Sequence, residues 1–212
     1  KFLAQILSAT RHIVLWSLPI LVLFIVLRAQ IVRTILGSGS FDWTATILTA
    51  ATLAIFSVSI IAQSVSLLFI RGFYATGQNK IPLIANLLSA ALIVAGGYGL
   101  VHWYGSSQFF QNFISSLLRV EDVRGAEVLM LPLAYSIGMV FNVALLVYFF
   151  RRRFGRFLSP VKNTFMNGLF ASLIAGFVAY EFLGVLGMYL DLNTFWGIFT
   201  QGLVAGIAGM LT

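Results

Sequence analysis

The chain has 212 residues, of which 60% are hydrophobic and only 9% charged; its formal net charge is +7 and it has no cysteine. A soluble domain of this size carries far more surface charge, and a mean hydropathy of +0.99 points instead to an all-α, polytopic transmembrane helix bundle. The absence of cysteine excludes disulfides, thiolate metal sites and cysteine nucleophiles.

Six apolar stretches are expected to cross the membrane: Ile13–Leu36, Thr46–Ile70, Ile81–Tyr104, Val128–Phe150, Val161–Leu186 and Thr194–Leu211. A crossing needs about 20 residues at about 1.5 Å rise each. The first contains Pro19, which removes a backbone hydrogen bond and predicts a kink. Its apolar run stops at Leu27, and Arg28, Gln30 and Arg33 then either snorkel to the interface or face a wet cavity. The turn Gly37-Ser38-Gly39-Ser40-Phe41-Asp42 lacks the Lys-Ser/Thr of a phosphate loop.

The second stretch sets Thr49, Thr52, Ser59, Gln63 and Ser66 on one face. Such a stripe either zips helices together or lines a watery pathway. Gln63 is the strongest pathway candidate, because an amide in hydrocarbon needs several partners. A short turn over residues 71–82 leads to Pro82, which opens the third helix where a missing N–H matters least. That helix places Asn86, Ser89, Gly96 and Gly97 near one face and ends in His102-Trp103-Tyr104, an aromatic belt. His102 and His12 fall at opposite membrane faces, so no metal site is built from them.

Residues 107–120 form an amphipathic pattern too short to span. Phe109, Phe110, Phe113, Ile114, Leu117 and Leu118 take one side, and Gln108, Gln111, Asn112, Ser115 and Arg119 the other. Glu121, Asp122 and Glu127 follow, and beside Arg119 and Arg124 they form a solvated charge cluster rather than an acid–base pair. The fourth crossing carries Pro132, Tyr135, Met139 and Asn142, then closes on the anchors Arg151, Arg152 and Arg153. The last two crossings align small residues, Gly168, Ala171, Ser172, Ala175 and Ala179 against Gly202, Ala205, Gly206 and Gly209, and are expected to pair as a hairpin.

The connections give the orientation. Lys1, Arg11, Arg71, Lys80, Arg151, Arg152, Arg153, Arg156 and Lys162 put nine cations on one side; Arg28, Arg33, Arg119 and Arg124 put four on the other. The positive-inside rule places the nine in the cytoplasm, with both chain ends. Basic residues so distributed set topology and do not indicate nucleic acid. The chain starts with Lys1 and its last apolar stretch runs to the end, so a piece of a longer protein is expected.

Several motifs carry a resemblance. They are Leu18-Pro19, the run Leu27-Arg28-Ala29-Gln30-Ile31-Val32-Arg33, Leu36-Gly37-Ser38-Gly39-Ser40-Phe41-Asp42, Thr49-Ala50-Ala51-Thr52-Leu53-Ala54, Leu131-Pro132-Leu133-Ala134-Tyr135-Ser136 with Asn142, and above all Arg71-Gly72-Phe73-Tyr74-Ala75 followed by Pro82. Together they resemble the lipid II flippase family (MurJ/MviN) of the MOP exporter superfamily. Before the proline this chain has Asn79-Lys80-Ile81, where the family usually has an acidic residue and a threonine.

The resemblance implies six spans of a fourteen-span, two-lobe transporter. Residues 1–159 would be part of the C-terminal lobe, and 160–212 an accessory helix pair lining a groove for the lipid tail. The N-terminal lobe of the same chain, with the arginines that bind the substrate pyrophosphate, would precede Lys1. The implied activity is alternating-access transport of a polyprenyl-linked glycolipid, the peptidoglycan precursor lipid II, across the bacterial cytoplasmic (inner) membrane. No catalytic residue, metal or cofactor is implied; coupling would come from membrane potential or an ion gradient, and the other partners would be membrane lipids. Thr49, Ser59, Gln63, Asn86 and Asn142 would line the pathway, while Arg71, Phe73, Tyr74, Ala75 and Pro82 would form the motif turn. The alternatives are an exporter of another polyprenyl-linked saccharide, an antiporter of the superfamily, a membrane enzyme of polyprenyl phosphate metabolism relying on Glu121, Asp122 and Glu127, and a non-transporting scaffold.

Overall fold

The computed structural model describes residues 2–37, 43–121, 123–155, 159–192 and 194–212. Lys1, the turn residues Ser38-Gly39-Ser40-Phe41-Asp42, Asp122 and Arg156, singled out above, lie outside the described residues.

Every regular element among the described residues is helical. In chain order they are α1 (Phe2–Val26), α2 (Arg28–Leu36), α3 (Trp43–Ala75), α4 (Lys80–Ser106), α5 (Gln108–Leu118), a 3₁₀ turn (Ala126–Leu129), α6 (Met130–Phe154), α7 (Ser159–Gly187) and α8 (Phe195–Met210). Among the described residues, five helices are long and apolar enough to cross a membrane, so the chain is a multi-pass membrane protein. The expected sixth crossing is apolar but only 16 residues long in α8, about 24 Å at the helical rise and shorter than the roughly 30 Å hydrocarbon core. Its start is set by Thr194, whose hydroxyl accepts from the Gly197 amide at 3.1 Å and caps the first turn.

The first stretch departs from expectation at its start and in its interior. Its helix begins at Phe2, not Ile13, and continues through Pro19. The interruption falls at Leu27 (φ −88°, ψ 5°), where the apolar run gives way to Arg28, Gln30 and Arg33. Backbone bonds from Leu27 to Leu23 (2.8 Å) and from Ile31 to Leu27 (2.9 Å) keep α2 continuous with α1.

The helices form one connected bundle. The α4 helix packs on α6, α6 on α3, α3 on α1, α1 on α7, and α7 on α8. At the end holding the α1 N-terminus, Phe69, Phe73 and Phe150 are fully buried. The Phe150 ring meets Phe69 edge-on at 5.1 Å, Phe73 edge-on at 5.2 Å and Phe154 at 4.5 Å. At the other end, Phe110 and Ile114 of α5 pack with Ala51, Ile55, Val120, Leu129 and Met130.

Thus the apolar side of α5 is divided. Phe110 and Ile114 enter the bundle, whereas Phe109, Phe113 and Leu117 are exposed, as on a helix between a protein core and lipid. Trp103 stacks on Phe110 (4.3 Å, 6°), and Gln111 donates to the Tyr104 carbonyl at 2.6 Å, which holds α5 beneath the α4 terminus.

The small residues of α7 serve two neighbours. A Cβ at Gly168 would lie 3.1 Å from Leu18 Cδ1, so this part of α7 faces α1. A Cβ at Gly209 would lie 2.7 Å from the Ala175 carbonyl oxygen and 3.1 Å from Ala179 Cβ, so α8 closes on α7 there. Backbones approach this closely only where side chains are minimal.

Candidate functional site

A groove of about 1170 Å³ runs between α3, α4 and α6. Its walls are largely apolar, with Phe56, Ile60, Val94, Tyr98 and Leu131 among them, and its polar groups include Ser59, Gln63 and His102. Helical spacing of four puts Ser59 and Gln63 one turn apart on the same face. Gln63 Nε2 donates to Ser59 Oγ at 3.0 Å, and Ser59 in turn donates to the Phe56 carbonyl at 2.8 Å. Ser59 is buried and Gln63 exposed, so the amide is the reachable end of the ladder.

Of the predicted polar face, Ser59 and Gln63 line the groove. Thr49 lies on the same helix but does not line the groove. Ser57 and Ser64 bond the carbonyls of Leu53 and Ile60 four residues back, the usual way a hydroxyl is satisfied inside an apolar helix. Ser66 Oγ is buried without a hydrogen-bond partner among the described residues.

Asn86 and Asn142 form a separate pair. Asn142 Nδ2 donates to Asn86 Oδ1 at 2.9 Å and ties α6 to α4. Asn142 is buried, and its Oδ1 has no partner among the described residues, while Asn86 is exposed. The cross-helix bond gives these two amides a structural role whatever else they contact. Ser136 similarly links α6 to α3, donating to the Ile55 carbonyl at 2.9 Å.

The motif turn is a packing device. Phe73 and Pro82 are fully buried, whereas Arg71, Tyr74 and Ala75 are exposed. Gly72 lets the Phe150 ring approach, since a Cβ there would lie 3.2 Å from Phe150 Cε2. The α3 helix then ends in a Schellman arrangement. Gln78 N–H donates to the Phe73 carbonyl at 2.9 Å and Gly77 N–H to the Tyr74 carbonyl at 3.0 Å, with Gly77 at φ 71°. With its amide oxygen turned to Arg153, Gln78 accepts from Nη2 at 2.7 Å and from Nε at 3.2 Å. The turn and the anchors therefore meet at one end of the bundle, and Arg151, Arg152 and Arg153 are all exposed there.

At the opposite end, α2, α3, α5, α7 and α8 surround a cavity of about 750 Å³. Arg28, Gln30 and Arg33 line it, together with Arg119, Glu181 and Gln201. Arg28 donates to the Leu118 carbonyl at 3.1 Å and Arg33 to the Leu192 carbonyl at 2.7 Å. Gln201 is buried in α8, where its amide donates to the Leu183 carbonyl at 2.8 Å and accepts from Gln30 at 3.4 Å. Burial pushes the Arg28 guanidinium down from its ordinary value, and the like charge of Arg119 adds to this. An arginine remains protonated under such a shift. Arg28, Gln30 and Arg33, expected at the first helix end, all line this cavity. Arg119 and Gln201 were not anticipated there; the available signals were a cation ending the amphipathic run and a lone amide in an apolar helix.

Among the described residues no group of three or more His, Asp and Glu could hold a metal ion. No curated protein and no solved structure matches the chain. A family model described as lipid II flippase MurJ matches residues 1–200, nearly the whole chain. With that match running from α1 into α8, the chain belongs to the lipid II flippase MurJ family.

Proposed function

We propose that this chain works as part of a flippase for lipid-linked peptidoglycan precursor in the bacterial cytoplasmic membrane. The observation that carries the proposal is the family match over residues 1–200. A sugar-pyrophosphate headgroup cannot cross bare hydrocarbon, because unpaired polar and charged groups there are prohibitively unfavourable. A transporter must offer it a polar wall while the polyprenyl tail stays in lipid. The Ser59–Gln63 ladder on the groove between α3, α4 and α6 is our candidate for part of that wall. Thr49, Asn86 and Asn142 are secondary candidates, with Asn86 the exposed member of its pair.

In this proposal a second lobe, N-terminal in the same protein, faces the groove, and the two lobes rock to open the passage to either side. Arg151, Arg152 and Arg153 lie in the cytoplasm, as the distribution of cations suggests. Residues 160–212 act as an accessory pair beside the lobe. The protein acts as a transporter and not as an enzyme, and membrane potential or an ion gradient drives it.

The test is reconstitution of the intact protein in vesicles holding a fluorescent lipid II analogue, with a membrane-impermeant quencher outside. Flipping makes the inner-leaflet probe accessible, and Gln63→Leu slows that phase. A probe that stays half protected in the wild-type vesicles contradicts the proposal. Equal rates for an undecaprenyl-linked saccharide of a different class would favour the broader exporter.

A further inference from the structure

Among the described residues, the cavity at the α2 end brings together three arginines, Arg28, Arg33 and Arg119, against one lining acid, Glu181. We propose that it seats the phosphate-ester headgroup of a membrane lipid, at the end of the bundle opposite Arg151–Arg153. This site is separate from the groove and does not depend on the transport proposal.

The donors are in place. A guanidinium has five N–H groups in a fixed fork that matches phosphate oxygens. Among the described residues, Arg28 and Arg33 each spend one hydrogen bond, on the Leu118 and Leu192 carbonyls. Those bonds fix the forks without consuming them. Arg33 also lies over the Trp43 ring, 5.9 Å from its centroid, which further restricts its motion. Arg119 has no described hydrogen bond through its side chain, and its charge is close enough to act on Arg28.

The backbone at Arg119 points the same way. The α5 helix ends in a Schellman arrangement, with Val120 N–H donating to the Ser115 carbonyl at 2.9 Å and Arg119 N–H to the Ser116 carbonyl at 3.3 Å. The left-handed residue of that motif is Arg119 itself, at φ 56°. The equivalent position after α3 is Gly77, which adopts this conformation without penalty. Arg119 is the one non-glycine residue among those described with positive φ. A glycine would close α5 more easily, so an arginine here gains its place through its side chain, which lines the cavity.

The surroundings specify a lipid over a free anion. Leu117 and Tyr180 line the same cavity and are 63% and 56% exposed. Tyr180 belongs to a candidate membrane span, and Phe113 beside Leu117 is exposed too. Acyl chains would lie against these side chains while the headgroup reaches the arginines.

Native mass spectrometry of the intact protein tests this with three probes: dioleoyl phosphatidylglycerol, dioleoylglycerol with the same tails and no phosphate, and inorganic phosphate. Charge-assisted hydrogen bonds of this kind predict that the phospholipid is retained about tenfold better than the diacylglycerol. Arg119→Gln lowers phospholipid retention severalfold, and Arg28→Gln with Arg119→Gln abolishes the preference. Arg119→Gly separates binding from architecture, since it loses retention as Arg119→Gln does while its Tm holds or rises. Unchanged retention in Arg119→Gln and Arg119→Gly overturns the proposal and leaves the arginines as anchors for α5 and the α7–α8 loop. Equal retention of dioleoylglycerol overturns it in favour of a tail groove, and inorganic phosphate binding as tightly as the phospholipid overturns the lipid assignment. Should the Arg28 variant fail to fold, the two Arg119 variants decide the matter.

Discussion

Replacing Phe150 with alanine should be among the most damaging single changes in the bundle. The ring is fully buried and has Phe69, Phe73 and Phe154 within 5.2 Å of its centroid. Aromatic pairs of this geometry contribute about 0.5–1.5 kcal/mol each beyond area burial, so three give roughly 1.5–4.5 kcal/mol. Phe→Ala changes in soluble cores cost about 3–5 kcal/mol. In a membrane the transfer part shrinks, because lipid is as apolar as the core, while the lost packing remains. A loss of about 2–4 kcal/mol is therefore expected in equilibrium unfolding of the intact protein in detergent. The same contact can be probed from Gly72, where an added Cβ would press on the Phe150 ring at 3.2 Å and on Ile6 at 3.4 Å. Gly72→Ala should cost about 1–2 kcal/mol in the wild type, the net of overpacking and better helix propensity. In the Phe150→Ala background it should be neutral or stabilising, giving a coupling of about 1–2 kcal/mol. A Phe150→Ala loss below about 1 kcal/mol, or an identical Gly72→Ala effect in both backgrounds, would refute this account of the motif turn.

Three further outcomes are expected. Gln63→Leu, at an exposed amide bonded only to Ser59 among the described residues, should change stability by less than about 0.5 kcal/mol while slowing lipid II flipping; parallel unfolding and vesicle assays separate the two. A double-mutant cycle on Asn86→Ala and Asn142→Ala should return a coupling of about 0.6 kcal/mol, typical of a hydrogen bond between membrane helices; zero coupling means the pair is not formed. Gly209→Ala would push a methyl to 2.7 Å from the Ala175 carbonyl oxygen and 2.9 Å from Leu23, and should cost about 1–3 kcal/mol, seen as a lowered Tm and faster proteolysis between α7 and α8.

Much of the helix order is legible in the sequence, because the hydrocarbon thickness forces apolar runs of about 20 residues that few charges interrupt. The ends are less legible. Gln5, Arg11 and His12 break the apolar pattern before Ile13, yet the helix already runs from Phe2, since a helix does not stop where its apolar stretch does. The helix runs through Pro19, and its assigned break falls at Leu27, where residue character changes. The division of α5 into Phe110 and Ile114 inside and Phe109, Phe113 and Leu117 outside is not legible, because lipid and protein core select the same apolar side chains. For the same reason Arg71-Gly72-Phe73-Tyr74-Ala75 carries a family resemblance without disclosing that Gly72 and Phe73 pack with Phe150. Pairings such as Asn86 with Asn142, or Gln30 with Gln201, depend on the register between helices far apart in the chain. Periodicity within one helix carries no information about that register.

The proposed lipid II flippase activity is tested most directly in cells. In cells depleted of their own lipid II flippase and supplied with the intact protein, lipid II should become cleavable by a hydrolase added outside the cytoplasmic membrane, and growth should resume. Lipid II that accumulates intact, protected from the hydrolase while the protein is present and folded in the membrane, would contradict the account.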